Sequence, residues 1–185
     1  MRCLVTGAGG FAGRHLCAEL VAQGHEVVGT YRWQRLPPPL EGVRFVPTEL
    51  CDQDIVRRLV AKERPEWVFH LASVTAPAVI DFWNMATLQN NIGCTVSLLD
   101  GLVREHFGGR LLLASSSHVY GNTQGHQIIV ETAPVHPEGP YAISKVACEH
   151  LALWMAQQGK LDAVISRAFN HTGVGQSPLF AVSSF

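Results

Sequence analysis

The segment "PYAISKVACE", residues 140–149, carries a tyrosine, a lysine and a glutamate at intervals of four, just after a proline. Proline is favoured in the first turn of a helix, so the segment predicts a helix start. Residues four apart share one helix face, and we expect Tyr141, Lys145 and Glu149 to lie along it. A phenol beside an ammonium group is a candidate acid/base pair. Glu149 is expected to be solvated or a local partner of the lysine.

The use of such a pair depends on the pKa of the phenol. A free tyrosine has a pKa of ~10 and is a poor base near neutrality. Lowering that pKa to about 7 requires roughly 4 kcal/mol of preference for the phenolate. One ammonium at ~4 Å, with an effective dielectric constant of about 20, supplies about that much. We therefore expect Lys145 to lower the pKa of Tyr141; an ordinary surface pair is the alternative.

A second candidate site is the glycine run "VTGAGGFAGRHL", which joins the first apolar run to the first amphipathic one. Gly7, Gly10 and Gly13 have the spacing Gly-x-x-Gly-x-x-Gly. Glycines allow a tight turn, the approach of a pyrophosphate to bare backbone, and close packing of helix on strand. The following helix N-terminus offers free N–H groups and a partial positive charge. The run predicts a dinucleotide site, with a merely tight turn as the alternative.

The end of the second predicted strand bears on the choice of dinucleotide. An acidic side chain there accepts a hydrogen bond from the adenosine ribose of NAD. The segment here is "VVGTYR", which ends in Tyr31 and Arg32 and has no carboxylate. Arg32, with Arg35 nearby, could clamp a 2′-phosphate. We expect NADP, with NAD as the alternative; an exposed loop arginine is the other explanation of Arg32.

Short apolar runs alternate with longer amphipathic runs along the whole chain. Strands are predicted over residues 2–7, 26–31, 43–48, 66–73, 109–117 and 161–170, and helices over 11–24, 52–65, 84–106 and 140–159. Strands that alternate with helices pair in parallel through right-handed crossovers. We predict an α/β fold, a doubly wound parallel sheet of the Rossmann type, with ligands beyond the carboxyl ends of its strands.

Composition excludes several classes of function. Of the 185 residues, 47% are apolar and 16% charged, which is typical of a soluble globular protein. The formal net charge is −1 without a basic block, so neither nucleic acid nor a membrane surface is an expected partner. The five scattered cysteines predict free thiols and a cytoplasmic location. Nine histidines form no zinc-type spacing, and no metal is expected.

The ordered motifs resemble those of the extended short-chain dehydrogenase/reductase superfamily, which contains nucleotide-sugar epimerases, dehydratases and reductases. The matching segments are "TGAGGFAG", "HLAS", an Asn91 ahead of "IGCT", "SSSHVYG", "YAISK" and "RAFNHTGVGQ". They occur in the family's order and cover nearly the whole chain. The Tyr-x-x-x-Lys spacing alone is a weak signal, whereas the ordered set is specific.

The resemblance implies roles for individual residues. Ser116, counted five residues back from Gly121, would be the catalytic hydroxyl, Tyr141 the proton-transferring phenol, and Lys145 the residue that holds the nicotinamide ribose. The implied cofactor-binding residues are Gly7, Gly10, Phe11, Ala12, Gly13, Tyr31, Arg32, Glu49, Leu50, Leu71, Ala72, Ser73, Asn91, Tyr141 and Lys145. The implied substrate-binding residues are Ser116, Ser117, His118 and Asn170, with His171 and Gln176 as further candidates.

The C-terminal segment "RAFNHTGVGQSPLFAVSSF" is especially similar to the branch that acts on GDP-sugars. In the family's 4,6-dehydratases an acidic side chain stands two residues after the catalytic hydroxyl, where this chain has His118. The resemblance therefore favours reduction of a GDP-linked 4-keto-6-deoxy sugar. A nucleotide-sugar epimerase or a 4,6-dehydratase is the alternative within the enzyme class. A non-catalytic dinucleotide-binding or redox-sensing module is the alternative of another class.

Two substitutions depart from the family pattern. Glu49 stands where an aspartate near the adenine is usual, and Cys94 follows Gly93 where a glycine usually precedes the threonine. We expect residues 1–170 to form the dinucleotide-binding domain and residues 171–185 to begin a substrate-binding region. The smaller C-terminal substrate domain of the family would be largely absent. A homodimer through the two long helices is expected by resemblance.

Overall fold

A computed structural model describes residues 1–75, 85–122 and 128–176, and its strands form one parallel sheet. The strands are β1 (Arg2–Thr6), β2 (Glu26–Tyr31), β3 (Val43–Pro47), β4 (Trp67–His70), β5 (Arg110–Ala114) and β6 (Asp162–Ser166). The α-helices are α1 (Phe11–Ala22), α2 (Gln53–Glu63), α3 (Met85–Arg104) and α4 (Gly139–Gln157). The strand order is β3-β2-β1-β4-β5-β6, with every neighbouring pair parallel. The predicted doubly wound Rossmann sheet is confirmed.

Alternating side chains of the strands face two different apolar clusters. Cys3 and Val5 of β1 pack with Cys17 and Leu20 of α1 on one side of the sheet. Leu4, between those two strand residues, packs on the other side with residues of α2, α3 and α4. This is the period of two expected of a strand buried on both faces. The helices thus hold the sheet from both sides and fix the positions of its carboxyl ends.

Three strands are shorter than the sequence pattern predicts, and one of them is β6, which ends at Ser166 rather than at residue 170. Residues 71–73 leave the sheet directly after β4, and residues 117–120 form one turn of 3₁₀ helix instead of extending β5. The reason is local, because the Ser116 hydroxyl accepts a hydrogen bond from the backbone N–H of His118 at 3.2 Å and caps that turn. The predicted helix start at residue 84 lies outside the described residues.

The ends of α2 follow the predicted signals. The Asp52 carboxylate accepts a hydrogen bond from the N–H of Ile55 at 2.9 Å, which is the expected N-cap contact. The helix closes at Arg64, whose φ of +42° is left-handed, immediately before Pro65. α2 therefore begins just after residues 49–51, the loop that follows β3.

Candidate active site

The glycine turn between β1 and α1 is formed by close backbone contacts. Gly7 has a φ of +71°, and a Cβ there would lie 2.8 Å from the backbone nitrogen of Ala72. A Cβ at Gly13 would collide with the carbonyl oxygen of Gly7 and lie 2.8 Å from Cα of Ala8. The N–H of Gly10 donates to the Gly7 carbonyl at 3.0 Å. The turn therefore presents bare backbone at the carboxyl end of β1.

The N-terminus of α1 has no side-chain cap, so its first backbone N–H groups are available to a ligand. Gly10 is the N-cap and has no side chain to satisfy the first N–H groups of the helix, which begins at Phe11 and Ala12. An uncapped helix start behind a glycine turn suits the pyrophosphate of a dinucleotide. The Phe11 ring stacks on the His171 ring, with centroids 6.0 Å apart. The segment after β6 therefore crosses the start of α1.

The residues predicted to contact the adenosine lie at the carboxyl ends of β2 and β3. Tyr31 ends β2, and exposed Arg32 follows it. A guanidinium nitrogen of Arg32 donates to Oδ1 of Asn90 on α3 at 3.0 Å, which ties the end of β2 to that helix. Arg35 closes a turn by donating its N–H to the carbonyl of Arg32 at 2.8 Å. Arg32 is thus held at the predicted ribose position by its neighbour on α3.

Glu49 and Leu50 follow β3 at the same edge of the sheet. Leu50 is 8% exposed and belongs to the core, whereas Glu49 is exposed. The Glu49 carboxylate accepts from the N–H of Cys51 at 3.3 Å. Glu49 can therefore face a ligand, while Leu50 anchors the loop in the hydrophobic core.

The loop after β4 is held by Asn91 of α3, which is 2% exposed. Its Oδ1 accepts from the N–H of Val74 at 2.9 Å, and its Nδ2 donates to the Ser144 hydroxyl at 3.1 Å. Asn91 thus ties α3 to α4 and to the chain beyond Leu71–Ser73. Its amide is committed to these internal bonds, so we expect it to act on a cofactor through the loop. The Ser73 hydroxyl is buried without a hydrogen-bond partner.

Ser116, Tyr141 and Lys145 meet at the carboxyl end of β5. The Ser116 hydroxyl interacts with the Tyr141 phenol in the direction that lowers the phenol pKa. The Lys145 ammonium lies 5.8 Å from the centroid of the Tyr141 ring and donates to the carbonyl of Ala114 at 2.8 Å. An ammonium has three donors, so two remain for a ligand or water after this contact. The helix face predicted from the spacing is present, and it is buried against β5.

The pKa values of this pair differ from the expectation for Tyr141. Burial raises the pKa of Tyr141, and the Ser116 hydroxyl only partly opposes it. Burial also lowers the pKa of Lys145 to about 8, although the nearby Cys148 and Glu149 favour its charged form. The prediction that Lys145 lowers the phenol pKa is therefore not met in the chain alone, because desolvation raises this pKa and the group that opposes the rise is Ser116.

Of the two expectations for Glu149, the solvated residue is wrong, whereas its carboxylate does favour the charged form of Lys145, as a local partner would. Glu149 is 1% exposed and accepts hydrogen bonds from Arg167 at 2.7 and 3.0 Å, and its carboxylate also accepts from the Ser115 hydroxyl. Arg167 in turn donates to the Tyr120 hydroxyl at 3.0 Å. A buried carboxylate needs such partners. The burial of Glu149 could have been predicted from the sequence, because Glu149 lies on the same helix face as Tyr141 and Lys145.

Of the predicted substrate-binding residues on this side of the site, His118 contacts the Tyr141 ring directly. The His118 ring is exposed and meets the Tyr141 ring edge-on, with centroids 5.9 Å apart. Ser117 begins the same turn, and its N–H donates to the carbonyl of Ala168 at 2.9 Å. Asn170 is exposed just beyond β6. Ser117 and His118 thus follow β5, and Asn170 follows the neighbouring strand β6, at the same edge of the sheet.

The two further substrate candidates lie in the segment that crosses α1. His171 stacks on Phe11, and its carbonyl accepts from the Gln176 amide at 3.3 Å. His15 of α1 contacts the carbonyl of Val174 at 2.9 Å. The segment is therefore anchored to the glycine turn as far as residue 176, and residues 177–185 lie outside the described residues.

His70, at the end of β4, is a site residue that the sequence did not single out. It is 3% exposed, and its ring nitrogens contact the hydroxyls of Thr6 at 2.7 Å and Thr95 at 3.0 Å. Burial and the charge of Lys145 lower its pKa to about 3, so the ring is neutral. The Thr6 hydroxyl also accepts from the N–H of Ala72 at 3.3 Å. His70 thereby supports the loop that faces the glycine turn.

Residues 1–75, 85–122 and 128–176 lack two classes of feature. No group of three or more potential metal ligands occurs there. None of the helices in this part of the chain has the length and apolar character needed to cross a membrane.

Comparison with known proteins shows the family to which the chain belongs. The model of the NAD dependent epimerase/dehydratase family matches residues 3–185. The chain is 36% identical to GDP-6-deoxy-D-mannose reductase of Pseudomonas aeruginosa, over 99% of its own length and 56% of the reductase. It is 32% identical to UDP-glucuronic acid decarboxylase 1 of Xenopus tropicalis, over 93% of its length and 41% of the decarboxylase. The chain thus spans about half the length of these curated relatives.

A solved structure supports the same assignment. Thermus thermophilus UDP-glucose 4-epimerase, in complex with NAD, superposes with a TM-score of 0.86 and 31% identity. The match covers 96% of this chain and 58% of the epimerase. Because the family model covers nearly the whole chain, and the six parallel strands have the order that binds dinucleotides, the chain belongs to the NAD dependent epimerase/dehydratase family.

Proposed function

We propose that this chain is the nucleotide-binding and catalytic part of an NAD(P)-dependent oxidoreductase that acts on a nucleotide-sugar. The observation that carries the proposal is the meeting of Ser116, Tyr141 and Lys145 at the carboxyl edge of the sheet, the same edge at which the glycine turn follows β1. In this proposal residues 1–170 form the dinucleotide-binding domain, and residues 171–185 begin the region that binds the sugar.

The glycine turn and its surroundings fit a nicotinamide dinucleotide. Side chains at Gly7 or Gly13 would collide with neighbouring backbone and disrupt the tight turn, and no side chain caps α1. The bound nicotinamide would supply or accept a hydride. Arg32 at the end of β2, without a carboxylate beside it, supports NADP as the preferred dinucleotide. NAD is the alternative, and the Thermus thermophilus relative is described with NAD.

The state of the phenol favours proton donation. Because burial raises the pKa of Tyr141, the side chain is protonated near neutral pH. It can give this proton to a ketone oxygen while a hydride adds to the carbonyl carbon, which converts the ketone to an alcohol. The Ser116 hydroxyl, which interacts with the phenol, can orient the same oxygen. Lys145 can donate hydrogen bonds to the ribose. Its positive charge would balance the negative charge of the phenolate that remains after Tyr141 has given up its proton.

The residues around the phenol favour reduction over elimination of water. A 4,6-dehydratase needs an acidic side chain beside the catalytic hydroxyl, and Ser117 and His118 stand at those positions. The most similar relative named above is a GDP-6-deoxy-D-mannose reductase. We therefore propose a GDP-linked 4-keto-6-deoxy hexose as the substrate. Epimerisation of a nucleotide-sugar is the second candidate, since the solved relative with the same fold is a 4-epimerase.

A homodimer is part of the proposal. The outer face of α4 carries exposed apolar side chains, Ile143 at 44%, Leu153 at 39% and Trp154 at 57%. Single exposed apolar residues are common, but three on one helix support a partner surface. We expect light scattering to give twice the chain mass, and Trp154→Glu to give the monomer. A wild-type monomer would contradict this part of the proposal.

The test of function uses the purified full chain with NADPH and a GDP-4-keto-6-deoxy hexose. Loss of nicotinamide absorbance that depends on the sugar is the expected result. Tyr141→Phe should lower kcat by about 100-fold or more, because the proton donor is lost. The dissociation constant for NADPH should stay nearly constant, since the ring is retained. Turnover by Tyr141→Phe at the wild-type rate would show the proposed role to be wrong.

The alternatives give different results in the same assay. An epimerase would interconvert sugar epimers without a net change in nicotinamide absorbance. A non-catalytic module would bind the dinucleotide and show no sugar-dependent change in any variant. Gly108→Ala is the matched control, because a Cβ there meets nothing within 4 Å and it lies away from the site.

A further inference from the structure

Two cysteines from distant parts of the chain contact each other at the adenosine end of the sheet. Cys51 lies in the loop after β3, and Cys94 lies on α3. Their sulfur atoms are 3.0 Å apart, in a contact where either thiol can donate. A disulfide bond is about 2.05 Å long, so the two atoms need to approach by only about 1 Å.

The two thiols differ in their access to solvent. Cys51 is exposed, whereas Cys94 is 4% exposed. Burial and the hydrogen bond with Cys51 raise the pKa of Cys94, which keeps this thiol protonated and unreactive towards reagents in solution. An accessible sulfur next to a buried one is the arrangement in which the first meets an oxidant and the second completes a disulfide.

The other cysteines lack this arrangement. Cys3, Cys17 and Cys148 are all buried, and burial raises the pKa of each. Cys148 contacts the carbonyl of Asn91 at 3.6 Å. Within the described residues, the pair of Cys51 and Cys94 is therefore the one in which an exposed sulfur meets a buried one.

We propose that Cys51 and Cys94 form a reversible disulfide when the chain meets a peroxide. The Cys51 thiolate attacks one peroxide oxygen, which gives a sulfenic acid and, with a proton, one water. The Cys94 sulfur then displaces the sulfenic oxygen, which leaves with the thiol proton as a second water. Two thiols thus lose two electrons and two protons, and one peroxide becomes two waters. A dithiol reductant reverses the bond by exchange.

The position of the pair gives the bond a consequence for nucleotide binding, and this part rests on the proposed function. Cys51 follows Glu49 and Leu50, the predicted adenine contacts. Asn90, which holds Arg32 at 3.0 Å, also has its carbonyl 3.7 Å from the Cys51 sulfur. Drawing the loop and α3 together by about 1 Å shifts both groups. We expect the oxidised chain to bind NADPH at least about fivefold more weakly.

The experiment treats the reduced full chain with hydrogen peroxide, unfolds it so that the buried thiols become accessible, blocks the remaining thiols with an alkylating reagent, and measures the mass. The expected product has lost the mass of two hydrogen atoms, keeps three alkylated cysteines, and yields a peptide that links residues 51 and 94. Its thermal unfolding midpoint rises by about 5 °C, because the bond closes a long loop in the unfolded chain. Dithiothreitol restores the original mass and midpoint.

Two variants make the result specific. Cys51→Ser, at an exposed position, and Cys94→Ala, which leaves the buried site apolar, should each fail to give the linked peptide. Cys94→Ala should instead accumulate oxidised or mixed-disulfide Cys51. Absence of the linked peptide in the wild type, or a Cys51 adduct that persists beside a free Cys94, would overturn the proposed site.

The binding measurement separates the two parts of the inference. An NADPH dissociation constant that is equal in the oxidised and reduced chains would overturn the effect on binding but not the disulfide. If the chain binds no dinucleotide in either state, the proposed function fails and the effect on binding fails with it. The mass and linked-peptide results decide the disulfide in every case.

Discussion

The carboxylate of Glu149 accepts hydrogen bonds from Nε and Nη2 of Arg167 at 3.0 and 2.7 Å, one helical turn beyond Lys145. The glutamate side chain is 1% exposed and the arginine side chain 19%. The pair ties α4 to the segment after β6, and the Ser115 hydroxyl connects it to β5. The elements that carry Ser116, Tyr141 and Lys145 are therefore joined by one buried ionic contact.

Removing one partner of this pair should destabilise the chain strongly. Glu149→Gln leaves the guanidinium without its carboxylate, and we expect a loss of about 3 kcal/mol or more in the free energy of unfolding in urea. Asp162→Asn is the matched control, since the Arg110–Asp162 pair is 62% and 53% exposed. Its expected cost is below about 1 kcal/mol. Equal costs for the two variants would contradict a structural role for Glu149.

The buried His70 should make the chain sensitive to acid. Its pKa is about 3 in the folded chain, against 6.5 as the ordinary value. Between these values the unfolded state binds more protons, so the free energy of unfolding falls as the pH falls. We expect this residue to account for a loss of about 2 kcal/mol between pH 7 and pH 5. His70→Asn should remove that part of the pH dependence, and the exposed His150→Asn should keep it.

Lys145 should give a pH dependence of the same sign as His70, but at alkaline pH. Its pKa of about 8, against 10.5 as the ordinary value, means that the unfolded state binds more protons between these limits. Its contribution to the free energy of unfolding therefore rises with pH in that window. The buried thiols act in the other direction, because burial raises their pKa values, that of Cys17 to about 11. The effect is isolated by comparison with Lys145→Met.

For this comparison we expect the wild type to gain about 2 kcal/mol over Lys145→Met between neutral pH and about pH 10. Urea unfolding of both proteins across that range measures the difference directly. A difference that is constant with pH would show that the ammonium is charged and well solvated in the folded chain.

The packing of α1 on β1 should not tolerate a methyl group at Gly13. A Cβ there collides with the backbone of the glycine turn, which cannot move aside as a flexible side chain can. We expect Gly13→Ala to lower the free energy of unfolding by about 2 kcal/mol or more and to abolish detectable NADPH binding. Gly108→Ala, with open space around its Cβ, should change neither quantity.

The choice of dinucleotide should depend on Arg32. Its guanidinium is the cation next to the predicted ribose position, held there by Asn90. Arg32→Gln should weaken NADPH binding by at least about tenfold and leave NADH binding nearly constant, because only the former carries the extra phosphate. Arg58→Gln on α2 removes the same charge elsewhere and serves as the control. Equal losses for both dinucleotides in Arg32→Gln would contradict the predicted preference.

The amino-acid sequence by itself determined the fold and the order of the motifs along it. Alternating apolar runs predicted the strands and helices of a doubly wound sheet, and each predicted strand is present, although β4, β5 and β6 end earlier. The spacing of Gly7, Gly10 and Gly13, and that of Tyr141 and Lys145, are local properties. They were readable because turn geometry and helix periodicity act over a few residues.

Only the tertiary structure decided what surrounds these groups. The burial that raises the pKa of Tyr141, the partners of Glu149 and His70, and the contact of Cys51 with Cys94 all come from residues far apart in the chain. Desolvation and ion pairing depend on every element packed around a side chain. A spacing along one helix does not contain them. The sequence therefore predicted which groups share an edge of the sheet, and packing decided their charge.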